Sequence, residues 1–300
     1  MIDDFNDPRF SEKIQPRTVE TSRGVVEYAE IGDGPAVVAL HGAMGGYDQS
    51  LILAQTIGES GYRYVAVSRP GFLGTPMSSG VSPEAQADLV AALLDELSID
   101  RAGVMAVSGG GPAALQFGLQ YPDRCSGLVL ASTFADMSEM PIPGYFKVMM
   151  VLARRPWFGR MLLRKASKDL SAVAKRSIRD PEILERTVND AVVWPLFSTM
   201  LLSTYRGMER RIDGTLNDIN ITRTQTYRLG EMRCPVLVVH GTNDPLVDFA
   251  KNTGAYKDKL PNVEIAAVDG GEHVTIFTHR DEVRARVLPF VRGGFRTDIR

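Results

Sequence analysis

Ser108 stands in Ala106-Val107-Ser108-Gly109-Gly110, between an apolar strand-like run at 102–107 and a helix-like run that begins at Pro112. A serine among small residues at a strand-to-helix turn is a nucleophile elbow. The turn forces the serine into a strained backbone conformation, so the residues two before and two after it must be small. Ala106 and Gly110 meet that demand, although glycine is the usual residue at the first of these positions. The strain exposes the hydroxyl at the carboxyl end of a sheet. The helix start then aims backbone N–H groups at charge that develops there. Glycine-rich turns of this kind also bind phosphate, so the window alone is compatible with two chemistries.

A hydroxyl becomes nucleophilic at neutral pH only with a base and an acid that orients the base. Around an elbow serine these follow in the chain order Ser, Asp/Glu, His. The chain has four histidines, and only His273 and His279 follow every candidate acid. His273 lies in Asp269-Gly270-Gly271-Glu272-His273-Val274, a loop just after the strand-like run at 263–268, where a base must sit to meet Ser108. His279 opens the last helix-like stretch and reads as a solvated or capping residue. For the acid, the buried-strand pattern at 235–240 runs into the turn Gly241-Thr242-Asn243-Asp244-Pro245. Asp244 can accept from the histidine Nδ1–H and fix its tautomer; the bland alternative is an Asx turn before the proline. Asp248 falls inside the next helix-like stretch, facing solvent. Asp136, beyond the strand that ends near Ser132, is a rarer position for the acid.

The segment His41-Gly42-Ala43-Met44-Gly45-Gly46 follows a strand-like run at 36–40. A glycine-bearing turn here can offer a backbone N–H to an oxyanion, with the N–H of Gly109 as second donor. Removing one such donor typically costs about 3–4 kcal/mol of transition-state stabilisation. His41 and His240 read as structural hydrogen bonders.

These groups need a scaffold that brings them together. Residues 18–31 read as a hairpin turning at Ser22-Arg23-Gly24. Strand-like runs near 36–40, 63–68, 102–107, 126–131, 235–240 and 263–268 then alternate with helix-like stretches near 48–60, 82–98, 111–121, 246–259 and 279–292. Such alternation predicts parallel strands with crossover helices. Ala43, Ser108, Asp244 and His273 then all fall at carboxyl ends of strands, where open α/β sheets hold their sites. Residues 134–228 break the alternation: they are rich in Leu, Met, Ala, Lys and Arg, hold both tryptophans, and read as helical.

In this order and spacing, five segments resemble the α/β-hydrolase superfamily over residues of about 18–292: His41-Gly42 with the glycines after it, Ser68-Arg69-Pro70-Gly71-Phe72-Leu73-Gly74, the turn around Ser108, Gly241-Thr242-Asn243-Asp244, and Gly271-Glu272-His273. The resemblance implies an α/β fold with a mostly parallel central sheet flanked by helices. Its core would be residues 1–133 and 229–300, with a helical cap inserted at 134–228. It further implies Ser108 as nucleophile, Asp244 as acid, His273 as base, and the N–H groups of Ala43 and Gly109 as oxyanion hole, with Met44 the alternative to Ala43. Ser108 stands where relatives that open epoxides or remove halide carry aspartate, which argues against both activities.

Apolar runs at 145–152, 194–197 and 200–202 are either cap core or a roof over the site. A methionine-rich roof adapts to varied apolar ligands, and Met44, Met149 and Trp194 are expected to line the pocket. The expected activity is cleavage of a carboxylic ester, thioester or lactone through an acyl-enzyme, on a small to medium apolar molecule, with no metal or organic cofactor. Carbon–carbon bond hydrolysis and cofactor-free perhydrolysis draw on the same residues. A reading of another class is a receptor-like protein that binds a ligand with little turnover.

Formal charge is -2, which indicates no whole-chain attraction to nucleic acid. Residues 142–229, however, carry sixteen Lys and Arg against eight Asp and Glu, a net +8 that leaves -10 for the remainder. This is either a solvated helical face or an attraction to an anionic substrate or membrane surface. Two cysteines, Cys125 and Cys234, are expected as buried reduced thiols. The acidic, polar start at residues 1–7 does not resemble a signal peptide, and no apolar run is long enough to span a bilayer. A cytoplasmic protein is the expectation, with its oligomeric state left open.

Overall fold

Short β-branched runs become the strands of one eight-stranded sheet in the computed structural model, which describes residues 13–138, 144 and 146–295. The strands are β1 (Arg17–Thr21), β2 (Gly24–Ile31), β3 (Ala36–Leu40), β4 (Arg63–Val67), β5 (Ala102–Val107), β6 (Cys125–Ala131), β7 (Val236–Gly241) and β8 (Val263–Val268). Their spatial order is β1-β2-β4-β3-β5-β6-β7-β8. The predicted hairpin β1–β2 is antiparallel and joins β4 antiparallel; all other neighbours are parallel. The acidic start at residues 1–7 lies outside the described residues.

β3, β6 and β7 are buried along their whole length, which explains their predominantly apolar sequences. Alternate residues of β3 enter opposite cores: Val38 and Leu40 on one side, Val37 and Ala39 on the other. The first core is closed by α2 (Pro83–Glu96), α3 (Gly111–Gln120) and α10 (Phe249–Lys259), the second by α1 (Tyr47–Ile57) and α12 (Arg280–Gly294). Local signals fix the helix starts. Ser82 caps α2 by accepting from the Ala85 N–H at 3.2 Å, with Pro83 in the first turn. The α10 helix starts three residues later than its sequence pattern predicts, because Asp248 is its N-cap and accepts from the Lys251 N–H. A one-turn helix, α11 (Thr275–Thr278), precedes α12 and is too short to show a helical pattern in the sequence.

Between β6 and β7 the chain leaves the sheet and forms α4 (Phe146–Ala153), α5 (Pro156–Ala166), α6 (Leu170–Ala174), α7 (Pro181–Asn189), α8 (Val193–Ser203) and α9 (Ile212–Thr224), with no strand among the described residues. Phe158, Met208 and Ile212 form a small core of their own there, with Met44 and Met149 packed against it. α8 lies on α1, and Phe197 meets Phe277 with ring centroids 5.1 Å apart. Cys125 and Cys234 are free and buried. No helix of the described residues is long and apolar enough to cross a membrane.

Candidate active site

Ser108 follows the last residue of β5 and has a φ of 50°, in the left-handed region that a non-glycine residue occupies only under constraint. The turn Ser108–Gly110 leads straight into α3. Ala106 is fully buried in the core, so the methyl that replaces the usual hydrogen is accommodated there.

Asp244 and His273 meet because the ends of β7 and β8 are stitched together. Thr242 N–H donates to Val268 O, Asn243 N–H to Gly271 O, and Gly270 N–H to Thr242 Oγ1, each at 2.9 Å. The approach is close enough to require glycine at 241, where a Cβ would lie 2.1 Å from Gly271 O.

The result is a continuous chain of polar groups. His273 Nε2 is 3.1 Å from Ser108 Oγ, and His273 Nδ1 is 2.9 Å from Asp244 Oδ2. An ionised carboxylate only accepts. Hence Nδ1 carries the proton, and Nε2 is left to accept from the serine. The Asp244 side chain is fully buried, while that of His273 keeps 18% of its surface exposed, toward the cavity described below. Asp244 Oδ1 accepts from the N–H groups of Leu246 and Val247 at 2.9 and 3.0 Å. Burial pushes the Asp244 carboxyl up. Hydrogen bonds from His240 and His273, the charge interaction with His273 and the Val247 N–H outweigh that, and hold it well below the usual carboxylate range.

The other candidates are committed elsewhere. Asp136 pairs with Lys259, Asp248 caps α10, and His279 Nδ1 bonds the Thr278 hydroxyl. His41 is structural: Nδ1–H donates to Gly42 O at 2.6 Å, and Nε2 accepts from the Arg69 N–H at 3.0 Å. Burial, with the Arg69 charge, lowers its pKa and keeps it neutral. His240 is buried too, but the reading of it as merely structural missed its contact with the acid. Its Nε2 lies 2.9 Å from Val247 O and 3.3 Å from Asp244 Oδ2. The sequence carried a signal, since His240 precedes Asp244 by four residues across the same strand end.

The structure brings Gly109 close to Ala43, the two residues expected to supply the oxyanion donors. An ideal Cβ on Gly109 would lie 3.5 Å from Ala43 N and 2.7 Å from Asp218 Oδ2, so only glycine leaves this corner open. Met44, the alternative donor, is corrected by the structure: its N–H already donates to Thr215 Oγ1 of α9 at 3.0 Å. The turn itself is clamped by Arg69 of the Ser68-Arg69-Pro70-Gly71 segment. Its guanidinium donates to His41 O at 2.9 Å and Gly42 O at 3.3 Å. It also grips both oxygens of Asp218 on α9, at 2.7 and 2.6 Å.

Ser108 and His273 open onto a cavity of about 320 Å³. Its walls include Leu53, Phe134, Met200, Leu246, Ile276 and Phe277. Among the described residues Gln49 is the one polar side chain there besides Ser108 and His273, and none of them places a charged side chain in the wall. Gln49 Nε2 donates to Ser203 Oγ at 2.8 Å. Met44, Met149 and Trp194 do not line this cavity. The two methionines pack in the small core of the insertion, and Trp194 packs beside Phe197. Several true wall residues, Leu246, Ile276 and Phe277, follow the acid and the base closely in sequence, which was the available clue. Among the described residues no cluster of three His, Cys, Asp or Glu could hold a metal ion.

Comparison with known proteins agrees with this architecture. The family described as "alpha/beta hydrolase fold" matches residues 35–280. An uncharacterized hydrolase, YcgS, of Bacillus subtilis is 26% identical over 79% of this chain and 84% of its own length. A 2-hydroxy-6-oxononadienedioate/2-hydroxy-6-oxononatrienedioate hydrolase of Burkholderia vietnamiensis is 25% identical over 89% of this chain and 91% of its own length. A solved α/β-hydrolase fold protein from Nakamurella multipartita superposes with a TM-score of 0.80 at 29% identity, covering 93% of this chain and all of the other.

Proposed function

The chain belongs to the α/β-hydrolase fold family, and on that footing we propose that it cleaves a carboxylic ester, or a related thioester or lactone, of a small to medium neutral apolar molecule through an acyl-enzyme on Ser108. The observation that carries this reading is the unbroken chain from Ser108 Oγ through His273 to Asp244, at 3.1 and 2.9 Å.

In the proposed reaction Ser108 Oγ attacks the carbonyl carbon while His273 Nε2 takes its proton. Asp244 stabilises the imidazolium and keeps the ring in register. The negative charge on the former carbonyl oxygen falls to the N–H groups of Ala43 and Gly109. His273 then protonates the leaving alcohol as the tetrahedral intermediate collapses. A water repeats the attack on the acyl-enzyme, with His273 again as base and Ser108 as leaving group. Residues 134–228 act as the cap over a core of residues 1–133 and 229–300, and the route calls for no metal or cofactor.

The cavity supports a neutral substrate over an anionic one. The Burkholderia relative is named for a dienedioate, which carries two carboxylates. No Arg or Lys of the described residues lines the cavity, so such a dianion would be desolvated there without a cationic partner among them. Carbon–carbon bond hydrolysis of such dioates is therefore the second reading. Gln49 gives the apolar cavity one hydrogen-bonding group. Its amide nitrogen is taken by Ser203 Oγ, which leaves the oxygen to accept from a substrate hydroxyl or N–H.

Labelling with a fluorophosphonate, followed by turnover of chromogenic esters of graded acyl length, tests the proposal. Stoichiometric labelling with steady ester turnover is expected. An acyl burst without turnover would favour a ligand-binding role, and turnover confined to dienedioates the carbon–carbon reading.

A further inference from the structure

The positive charge of residues 142–229 is not spread over them. Residues 146–176 hold nine Lys and Arg against one Asp, which accounts for the whole +8; residues 177–229 are balanced, seven against seven. The same short segment, α4 to α6, holds four of the eight large hydrophobic side chains that are exposed among the described residues: Val148 (62%), Val151 (58%), Trp157 (53%) and Met161 (46%).

On α5 the two kinds of residue share one face. Trp157, Met161 and Lys165 follow at intervals of four, as do Arg160 and Arg164, with Lys168 in the turn just after the helix, and together the six line a shallow surface groove. The opposite face of α5 turns inward through Phe158, Gly159 and Ala166. No described residue pairs with the side chains of Arg160, Arg164, Lys165 or Lys168; Arg154, by contrast, pairs with Asp213. A solvated helix face would carry the cations without the tryptophan and the methionine among them.

We propose that this face of the helical insertion docks onto the surface of an anionic lipid bilayer. The cations meet the headgroup charge, and the exposed apolar side chains enter the boundary between headgroups and acyl chains. One further feature favours a membrane over a soluble polyanion such as a nucleic acid. A polyanion in water would leave Val148 and Val151 exposed, whereas the headgroup–acyl boundary buries them. The remainder of the chain, at -10, is repelled by the same surface, so the charge asymmetry orients the molecule with the insertion inward. The inference does not depend on the chemistry assigned to Ser108.

Flotation of the full chain with vesicles tests it: phosphatidylcholine alone against an equimolar mixture with phosphatidylglycerol, at low and high ionic strength. Binding to the anionic vesicles only, weakened by salt, is expected. The exposed triple variant Arg160→Gln, Arg164→Gln, Lys168→Gln should keep the wild-type melting temperature and lose roughly a hundredfold in partitioning. In a Trp194→Phe background, the emission of Trp157 should shift to the blue on anionic vesicles and stay unchanged on neutral ones. Equal binding to neutral vesicles, undiminished binding of the triple variant, or capture by DNA or heparin with none by vesicles would each overturn the proposal.

Discussion

Arg69 holds both carboxylate oxygens of Asp218, and the same guanidinium donates to the carbonyls of His41 and Gly42. One buried side chain thus ties the turn that carries Ala43 to helix α9 of the insertion. Both partners are almost fully buried, at 2% and 6% exposure, so neither has water to fall back on. Asp218→Asn should destabilise the fold by about 3–5 kcal/mol, because it strands a buried cation. Replacing Arg69 and Asp218 together with leucine and methionine should recover most of that loss in denaturant melts. Ester turnover should stay low in the double variant, since the clamp on the turn is still missing.

Ser108→Ala should abolish fluorophosphonate labelling and nearly all ester turnover, with the melting temperature kept or raised. The strained φ of 50° persists with alanine, but one methyl is accommodated wherever the serine Cβ already sits. Retained labelling of this variant would place the nucleophile at another residue.

Asp244→Asn should lower kcat by about 10⁴, as loss of the orienting acid does in comparable triads. Asp136→Asn and Asp248→Asn should leave it within a few-fold. His240→Phe removes a single donor from Asp244 Oδ2 and should fall between these limits. The carboxyl of Asp244 sits below its unfolded value of about 3.9, so its contribution to stability is complete above that pH and is lost as pH falls toward the depressed folded value. Urea melts from pH 7 to pH 3 should therefore show a steeper acid loss for the wild type than for Asp244→Asn.

Met200→Ala and Leu53→Ala should widen the acyl-length profile. One methylene in an apolar pocket is worth about 1–3 kcal/mol, which allows tenfold shifts between neighbouring chain lengths in kcat/KM. Met149→Ala and Trp194→Ala should instead lower stability by about 1–3 kcal/mol and leave the profile in place, because those side chains pack within the protein and not at the cavity. A changed profile in Met149→Ala with an unchanged melting temperature would contradict this division.

Gln49→Leu should cut kcat/KM for hydroxy-substituted acyl esters about tenfold relative to their unsubstituted counterparts, by removing an acceptor from the apolar wall. Competition between the two esters in a single assay measures the ratio directly.

The strands were legible because runs such as Ala36-Val37-Val38-Ala39-Leu40 can sit only inside a sheet covered on both faces. The order Ser108, Asp244, His273 was legible because each residue follows a strand closely, and a parallel sheet gathers such positions at one edge. What the sequence hid depends on distant partners. Ala43 and Met44 are indistinguishable as donors until Thr215, 171 residues away, is seen to occupy the Met44 N–H. The cavity wall draws on α1, α8 and α11 at once, so no single apolar stripe announces it. Met149 and Trp194 have the right chemistry for a roof but lie on the parts of α4 and α8 that pack inward against other helices.

The insertion separates β6 from β7, which are nevertheless hydrogen-bonded neighbours. Joining them closes a loop of about a hundred residues, at an entropic cost near 4 kcal/mol that nothing local repays until the pair forms. The proposed nucleophile, Ser108, lies before that junction, and its proposed partners Asp244 and His273 lie after it. On the proposed mechanism Ser108 stays inert until β7 and β8 have docked, so the onset of ester turnover during refolding is expected to report that docking.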